Sequence, residues 1–280
     1  MERRFAQVDV FTEVPYRGNP LAVVVDADGL SDEAMARFAN WTNLSETTFL
    51  LPPTTPDADY RVRIFTVDGE LPFAGHPTLG SCRVWLDHVG ASTHRPGPHD
   101  TVVQECAAGL VTVRVSGGRL AFAAPPTVRS GPVDAELVAD IQRAIGAEVI
   151  DSAWADNGPG WVAVEVADVD TLLALRPDFT FAPELKLGVV AACAPGDPDR
   201  FELRAFHPAG GHHFEDPVTG SLNASVAQWL MARDPALTAY TARQGTALGR
   251  TGRVHIDRDA AGTIWVGGTV HSCLTGSVEL

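Results

Sequence analysis

Two residues with acid–base side chains, His76 and Asp216, each stand directly before a proline in phrases that resemble one another: Gly75-His76-Pro77-Thr78-Leu79-Gly80-Ser81 and Glu215-Asp216-Pro217-Val218-Thr219-Gly220-Ser221. An imidazole and a carboxylate are side chains that carry protons in general acid–base chemistry, and their matching places half a chain apart single them out. Each phrase runs into an apolar stretch, Val84-Trp85-Leu86 in one case and Val226-Ala227-Gln228-Trp229-Leu230 in the other. A residue before proline is pushed out of the α region, and proline is favoured at the first helical position. The pattern therefore predicts a helix start written twice, with His76 and Asp216 as N-caps. The N–H groups and positive dipole end of such starts would receive a carboxylate or another anion. Gly80 and Gly220, in the first turn on this reading, would let a ligand or another backbone come close. Aspartate is also among the best N-caps and needs no chemical role to explain it, whereas histidine is a weaker cap and stands out more.

Upstream, Tyr60 to Phe65 and Phe201 to Phe206 alternate as strands do, so both halves read strand, glycine-containing loop, helix. A tandem of two similar halves facing each other would bring both helix starts to one cleft. Further strands are expected over Phe5–Phe11, Leu21–Asp26, Ser45–Leu51, Thr101–Cys106, Leu110–Val115 and Leu120–Ala123. In the second half they are expected near Val149–Ala153, Trp161–Val166, Leu187–Cys193, Ala239–Arg243, Val254–Ile256, Ile264–Val266 and from Thr269 onward. Helices are expected from Ser31 to about Asn40, Asp134 to Ile145 and Val169 to Leu175. The economical architecture is α+β: two pseudo-symmetric domains, each a curved, mostly antiparallel sheet around a central helix. The proline-rich stretch from Pro125-Pro126 to Pro132 divides a first lobe, 1–125, from a second, 133–280, with the last strand able to return to the first.

Composition narrows the function. A chain of 280 residues with 45% apolar content can bury two cores. Its net charge of −14, with no run of basic residues longer than two, argues against a nucleic-acid partner and for a small molecule. The apolar runs are too short to span a bilayer, and the start, Met1-Glu2-Arg3-Arg4-Phe5, has no apolar signal core, so a soluble cytoplasmic protein is the expectation. Cys82, Cys106, Cys193 and Cys273 have no metal-ligand spacing. Lys186 is the only lysine and has no signature of Schiff-base chemistry around it, and no dinucleotide, P-loop or HExxH motif is present. Chemistry would have to run on side chains alone.

Gly18-Asn19-Pro20, Asn43-Leu44-Ser45-Glu46-Thr47-Thr48-Phe49, Glu70-Leu71-Pro72-Phe73-Ala74-Gly75-His76-Pro77-Thr78-Leu79-Gly80 and the Glu215–Ser221 phrase together resemble the PhzF-like phenazine biosynthesis isomerase family over essentially the whole chain. The Glu70–Gly80 string is the most specific of these. The resemblance implies a diaminopimelate-epimerase-like fold with the active site between two domains, a homodimer, and no cofactor or metal. It implies a proton-moving isomerase of secondary-metabolite biosynthesis, such as that of phenazine antibiotics. The substrate it implies is a small carboxylated cyclic or dihydroaromatic molecule, with trans-2,3-dihydro-3-hydroxyanthranilate as the type. Carried over by residue, it makes Glu46 the proton shuttle, with His76 and Asp216 as catalytic partners. Ser221, the Gly75 and Gly220 backbone and Asn19 become the substrate-binding groups. Without the resemblance, Glu46 reads as a solvated strand glutamate. In the shuttle role it would need burial to raise its pKa toward the working pH, for which Leu44, Phe49 and Leu50 are its apolar neighbours.

Related racemases of the same fold place a cysteine at each helix start; this chain has His76 and Asp216 there and Cys82 six residues on, which disfavours a two-thiol mechanism. Val67-Asp68 before Gly69 and the histidine-rich Phe206–Phe214 stretch depart from the family pattern and leave the substrate open. Two other readings compete. His207, His212, His213, Glu215 and Asp216 could form a metal site, although their spacing matches no zinc signature. A non-catalytic small-molecule-binding protein would keep the cleft without turnover, although it would have no need of an acid–base set.

Overall fold

The computed structural model describes residues 1–90, 101–209 and 212–280. The chain forms two units, Met1–Ala123 with Gly267–Leu280, and Ala124–Val266.

In the first unit, β1 (Glu2–Val10) pairs antiparallel with β2 (Asn19–Val24), β2 parallel with β3 (Thr47–Leu51), and β3 antiparallel with β4 (Tyr60–Phe65). The two-residue β5 (Glu70–Leu71) lies antiparallel on one side of β4. β6 (Thr101–Cys106) lies parallel to β4, and β7 (Gly109–Ser116) and β8 (Arg119–Ala123) complete a meander. The C-terminal strand Val270–Glu279 pairs with β1, Glu279 opposite Glu2. On one face α1 (Asp32–Thr42) packs Met35 and Ala39 against Val24, Phe49, Leu51 and Phe65. Ser31 caps this helix by accepting the Ala34 N–H at 3.2 Å, and Asn43 at φ 56° ends it after Thr42, two residues past the expected Asn40.

On the other face lies α2 (Gly75–Trp85), which touches β1, β2, β3, β4, β6, β8 and the C-terminal strand. Every residue of α2 except Arg83 is buried. A helix with apolar or small residues all round is one enclosed on every side. The enclosure explains Gly80, which lies in the sixth position rather than the expected first turn. An added Cβ there would lie 2.5 Å from Leu21 Cδ2 and 3.0 Å from Val8 Cγ2, so the glycine serves the approach of β1 and β2 and not that of a ligand.

The second unit repeats the pairing pattern. β10 (Asp151–Asp156) carries the short β9 (Arg129–Gly131) on one side and pairs antiparallel with β11 (Trp161–Glu165). β11 runs parallel to β12 (Lys186–Ala192), and β12 antiparallel to β13 (Phe201–Ala209). β13 holds β14 (His212–Asp216) antiparallel and β15 (Ala239–Gln244) parallel, and β16 (Gly252–Arg258) follows on β15. Outer helices α3 (Ala135–Ile145) and α4 (Val169–Ala174) cover one face with Ile141, Ile145 and Leu172. The enclosed helix is α5 (Gly220–Arg233), packed on β10, β11 and β16. β17 (Ile264–Gly268) leads back to the first unit. The structure thus has more strands than the sequence suggested: β5, β9 and β14 fall where loops were read. No described helix is long and apolar enough to cross a membrane.

The duplication is real but its register differs from the one the two phrases suggest. The N-caps are Ala74 and Thr219, so Gly75 of α2 corresponds to Gly220 of α5. Hydrogen bonds confirm the match. Thr78 Oγ1 donates to the Ala74 carbonyl at 2.9 Å, and Asn223 Nδ2 donates to the Thr219 carbonyl at 2.9 Å. A strand glutamine completes each set: Gln104 Nε2 donates to Thr78 Oγ1 at 3.0 Å, and Gln244 Oε1 accepts from Asn223 Nδ2 at 2.9 Å. His76 and Asp216 are accordingly not N-caps. His76 is the second helical residue, and Pro77 follows inside a first turn whose N–H groups have no intrahelical partner, which is why proline is tolerated there. Asp216 ends β14, ahead of the cap.

Gly80→Ala is expected to destabilise the fold by about 1–3 kcal/mol, the cost of overpacking. In an exposed helix the same change would stabilise by up to about 1 kcal/mol, so the sign measured in urea unfolding decides between enclosure and exposure.

Candidate active site

β3 and α2 together place the first pair of candidates. Side chains along a strand alternate, so Glu46, Thr48 and Leu50 share the face turned to α2, while Thr47, Phe49 and Leu51 face α1. Thr48 Oγ1 accepts from Ser81 Oγ at 2.9 Å. Two residues back along the strand is about 6.7 Å, and five residues back along the helix is about 7.5 Å, so the step that leads from Thr48 to Glu46 leads from Ser81 to His76. There His76 Nε2 lies 3.4 Å from Glu46 Oε2, with the side chains 5% and 16% exposed. The expectation that Phe49 helps bury Glu46 fails on the alternation, since its ring belongs to the α1 side.

The ring of His76 is fixed from behind. Asn19 Nδ2 lies 3.4 Å from His76 Nδ1, and the backbone of Pro20 also hydrogen-bonds the ring. Asp9 sets up this approach: its carboxylate accepts the N–H of Arg17 at 2.8 Å and of Gly18 at 3.0 Å. A Cβ on Gly18 would lie 2.2 Å from the Val10 carbonyl oxygen, so only glycine fits before Asn19. Burial pushes the His76 pKa down from 6.5 to about 3, against the opposing pull of the Pro20 hydrogen bond. His76 is therefore neutral near pH 7, a hydrogen-bonding group and not a charge.

The second unit positions Asp216 and Ser221. Thr219 Oγ1 donates to Asp216 Oδ2 at 2.5 Å, and Gln244 Nε2 donates to the Asp216 carbonyl at 3.0 Å and to Thr219 Oγ1 at 2.9 Å. Ser221, second residue of α5, has its Oγ occupied as an acceptor by the Trp161 indole N–H at 3.0 Å, so its own hydrogen is left to donate. Neither Ala74 nor Thr219 supplies a side-chain cap to its helix. The first-turn N–H groups of Gly75 and Gly220 therefore have no side-chain cap.

The other acid of the phrase, Glu215, has a structural duty. Arg204, 4% exposed, makes a fork of Nε and Nη2 to the Glu215 carboxylate at 2.9 and 2.7 Å, while its Nη1 donates to the carbonyls of Leu172 and Leu175. The metal reading dissolves with it. His213 stacks on Phe179 at 3.9 Å, His207 Nδ1 lies 3.4 Å from the Pro208 carbonyl, and Asp216 is held by Thr219. Among the described residues no group of three or more His, Cys, Asp or Glu could hold a metal ion. Cys82 is fully buried with its thiol pKa pushed up by that burial, which suits packing and not thiolate chemistry.

Sequence reasoning missed Gln104, Gln244, Arg204, Trp161 and Asn157. A signal existed for the glutamines. Val102, Gln104 and Cys106 share one face of β6, and Tyr240, Ala242 and Gln244 one face of β15, so each glutamine is a polar residue on an apolar face.

Residues 8–269 match the profile of a family described as phenazine biosynthesis-like protein (PhzC-PhzF). The chain is similar to antisense-enhancing sequence 1 of Schizosaccharomyces pombe, 34% identical over 98% of each chain. It is also similar to trans-2,3-dihydro-3-hydroxyanthranilate isomerase of Pseudomonas aeruginosa, 34% identical over 92% of this chain and 91% of that one. The crystal structure of a PhzF-family phenazine biosynthesis protein from Enterococcus faecalis superposes with a TM-score of 0.83 at 24% identity, covering 100% of both chains. That likeness shows the α+β, diaminopimelate-epimerase-like fold that the sequence resemblance implied.

Two outcomes follow from the site's energetics. Below pH 6.5 the unfolded chain protonates His76 while the folded chain refuses the proton down to about pH 3, so stability falls on acidification across that window and is unaffected above it. His76→Gln should remove up to one proton's worth of that slope, about 1.4 kcal/mol per pH unit, in unfolding measured from pH 7 to 4. Glu215→Ala, which leaves a buried guanidinium unpaired, should cost about 3–5 kcal/mol, read as a loss of denaturation midpoint.

Proposed function

The chain is an isomerase of the phenazine biosynthesis-like family, and on that premise we propose that it moves a proton within a small carboxylated cyclic or dihydroaromatic substrate by acid–base catalysis through Glu46. Trans-2,3-dihydro-3-hydroxyanthranilate, the substrate in the name of the Pseudomonas aeruginosa relative, is the type molecule. The observation that carries the reading is the buried contact of Glu46 Oε2 with Nε2 of a neutral His76 at 3.4 Å.

The chemistry balances without a cofactor. Glu46 takes a proton as a substrate C–H bond breaks, and the electron pair spreads into the conjugated system. The same carboxyl group then returns the proton to another carbon of the molecule, so no electrons leave and none are supplied. The neutral His76 ring lies beside the Glu46 carboxyl group through Nε2, a polar neighbour that adds no charge to the proton-carrying group. The substrate carboxylate rests on the first-turn N–H group of Gly220 and on the Ser221 hydroxyl, while Gly75 offers the matching N–H group within its own unit and Asn19 keeps the histidine in place. Asp216 serves the same reaction as its second polar group. A homodimer working in the cytoplasm and supplying an antibiotic pathway belongs to this reading as well, with sedimentation the check on the first of these.

Glu46→Gln should abolish incorporation of solvent deuterium into the substrate, with turnover down by about 10²–10⁴-fold; exchange that persists would refute the role of Glu46. Because His76 stays neutral between pH 5 and 8, no limb of the pH–rate profile in that window should belong to the imidazole, so His76→Asn should lower kcat without removing a limb.

A further inference from the structure

The turn joining β10 to β11 is held more firmly than a strand connection requires. Asp156 Oδ1 accepts the N–H groups of Gly158 and Gly160, each at 2.7 Å, and both glycines have positive φ, 133° and 91°. Between these anchors sits Asn157, 7% exposed, whose Nδ2 donates to the Ser221 carbonyl at 3.0 Å. Chemistry fixes the orientation of this amide, because only its NH₂ group can face a carbonyl oxygen. The amide oxygen, Oδ1, is then left buried and without a protein partner. An orphaned buried acceptor is costly to leave unpaired, and it lies beside the second residue of a helix whose N-cap supplies no side chain.

We propose that Asn157 Oδ1 reads the ligand, accepting a hydrogen bond from an amino or hydroxyl group on the carbon adjacent to the one that bears the carboxylate. The carboxylate itself occupies the first turn of α5 with the Ser221 hydroxyl. The ligand class is a carboxylic acid with a neighbouring donor, an amino or hydroxy acid, in preference to a plain carboxylic acid. A ligand without the donor leaves Oδ1 unpaired and loses that interaction. The assignment deepens the preceding reading and rests on its placement of the substrate carboxylate at α5.

Binding of benzoate and of anthranilate, which differ by one amino group next to the carboxylate-bearing carbon, tests it by calorimetry on the full chain. The wild type should prefer anthranilate by about 3- to 10-fold, the worth of one neutral hydrogen bond. Asn157→Ala and the near-isosteric Asn157→Leu should each bring the ratio to about one while leaving benzoate affinity within about twofold. A variant that merely disturbs Ser221 weakens both ligands together and keeps the ratio, and that result would overturn the role of Asn157. A wild type that binds the two acids equally overturns it as well, with no variant needed. Failure of the wild type to bind either acid would instead sink the carboxylate assignment at α5. The role of Glu46 is decided separately by deuterium exchange.

Discussion

A helix enclosed on every face must be held by polar groups that are themselves buried, and in both units that duty falls on a strand glutamine. Gln104 takes the Tyr60 hydroxyl on its oxygen at 2.9 Å and gives its amide hydrogen to Thr78, which in turn bonds the Ala74 carbonyl at the head of α2. Gln244 accepts from the Thr219 N–H and from Asn223, and donates to Asp216 and Thr219. Both ends of each glutamine amide are paired, and buried networks so connected rigidify a core, although Asn223 Oδ1 is left without a protein partner. Because each network closes on the first turn of its helix, the placement of His76 in one unit and of Asp216 and Ser221 in the other is a consequence of core packing. The candidate groups stand on a scaffold whose register cannot slip by one residue without orphaning a glutamine.

How much of this could be read from the sequence varied with the kind of interaction. Strands such as Thr101–Cys106 were legible to the residue because alternation is a local pattern, and so was the start of α1, where Ser31 is a strong cap. The two core helices were legible as existing but misplaced at their starts. Pro77 lies inside the first turn of α2 whereas Pro217 lies ahead of the Thr219 cap, and only the tertiary partners Gln104 and Gln244 tell where each helix begins. The histidine-rich stretch read as a loop because Pro208 and the polar run argue against a strand. The ladder of β13 with β14 and the Arg204–Glu215 fork override that preference.

The candidate site divided in the same way. His76 could be singled out because histidine is an odd residue beside a proline at a helix start. Glu46 could not, since nothing local separates it from a solvated strand glutamate; only the family resemblance named it, and only the packing of β3 on α2 gives it a buried neighbour. Trp161 and Asn157 carried no local signal at all, since what makes them matter is the side of Ser221 that each one touches.

The pairing of β1 with the C-terminal strand, Glu2 opposite Glu279, makes the first unit discontinuous while the second is one unbroken stretch. The second unit can close its ladder from one stretch of chain, but β1 keeps an open edge until the strand Val270–Glu279 is in place. An exposed strand edge is a template for pairing with other chains. The unit that holds Glu46 and His76 therefore depends for a closed edge on a strand far from both of them in the chain.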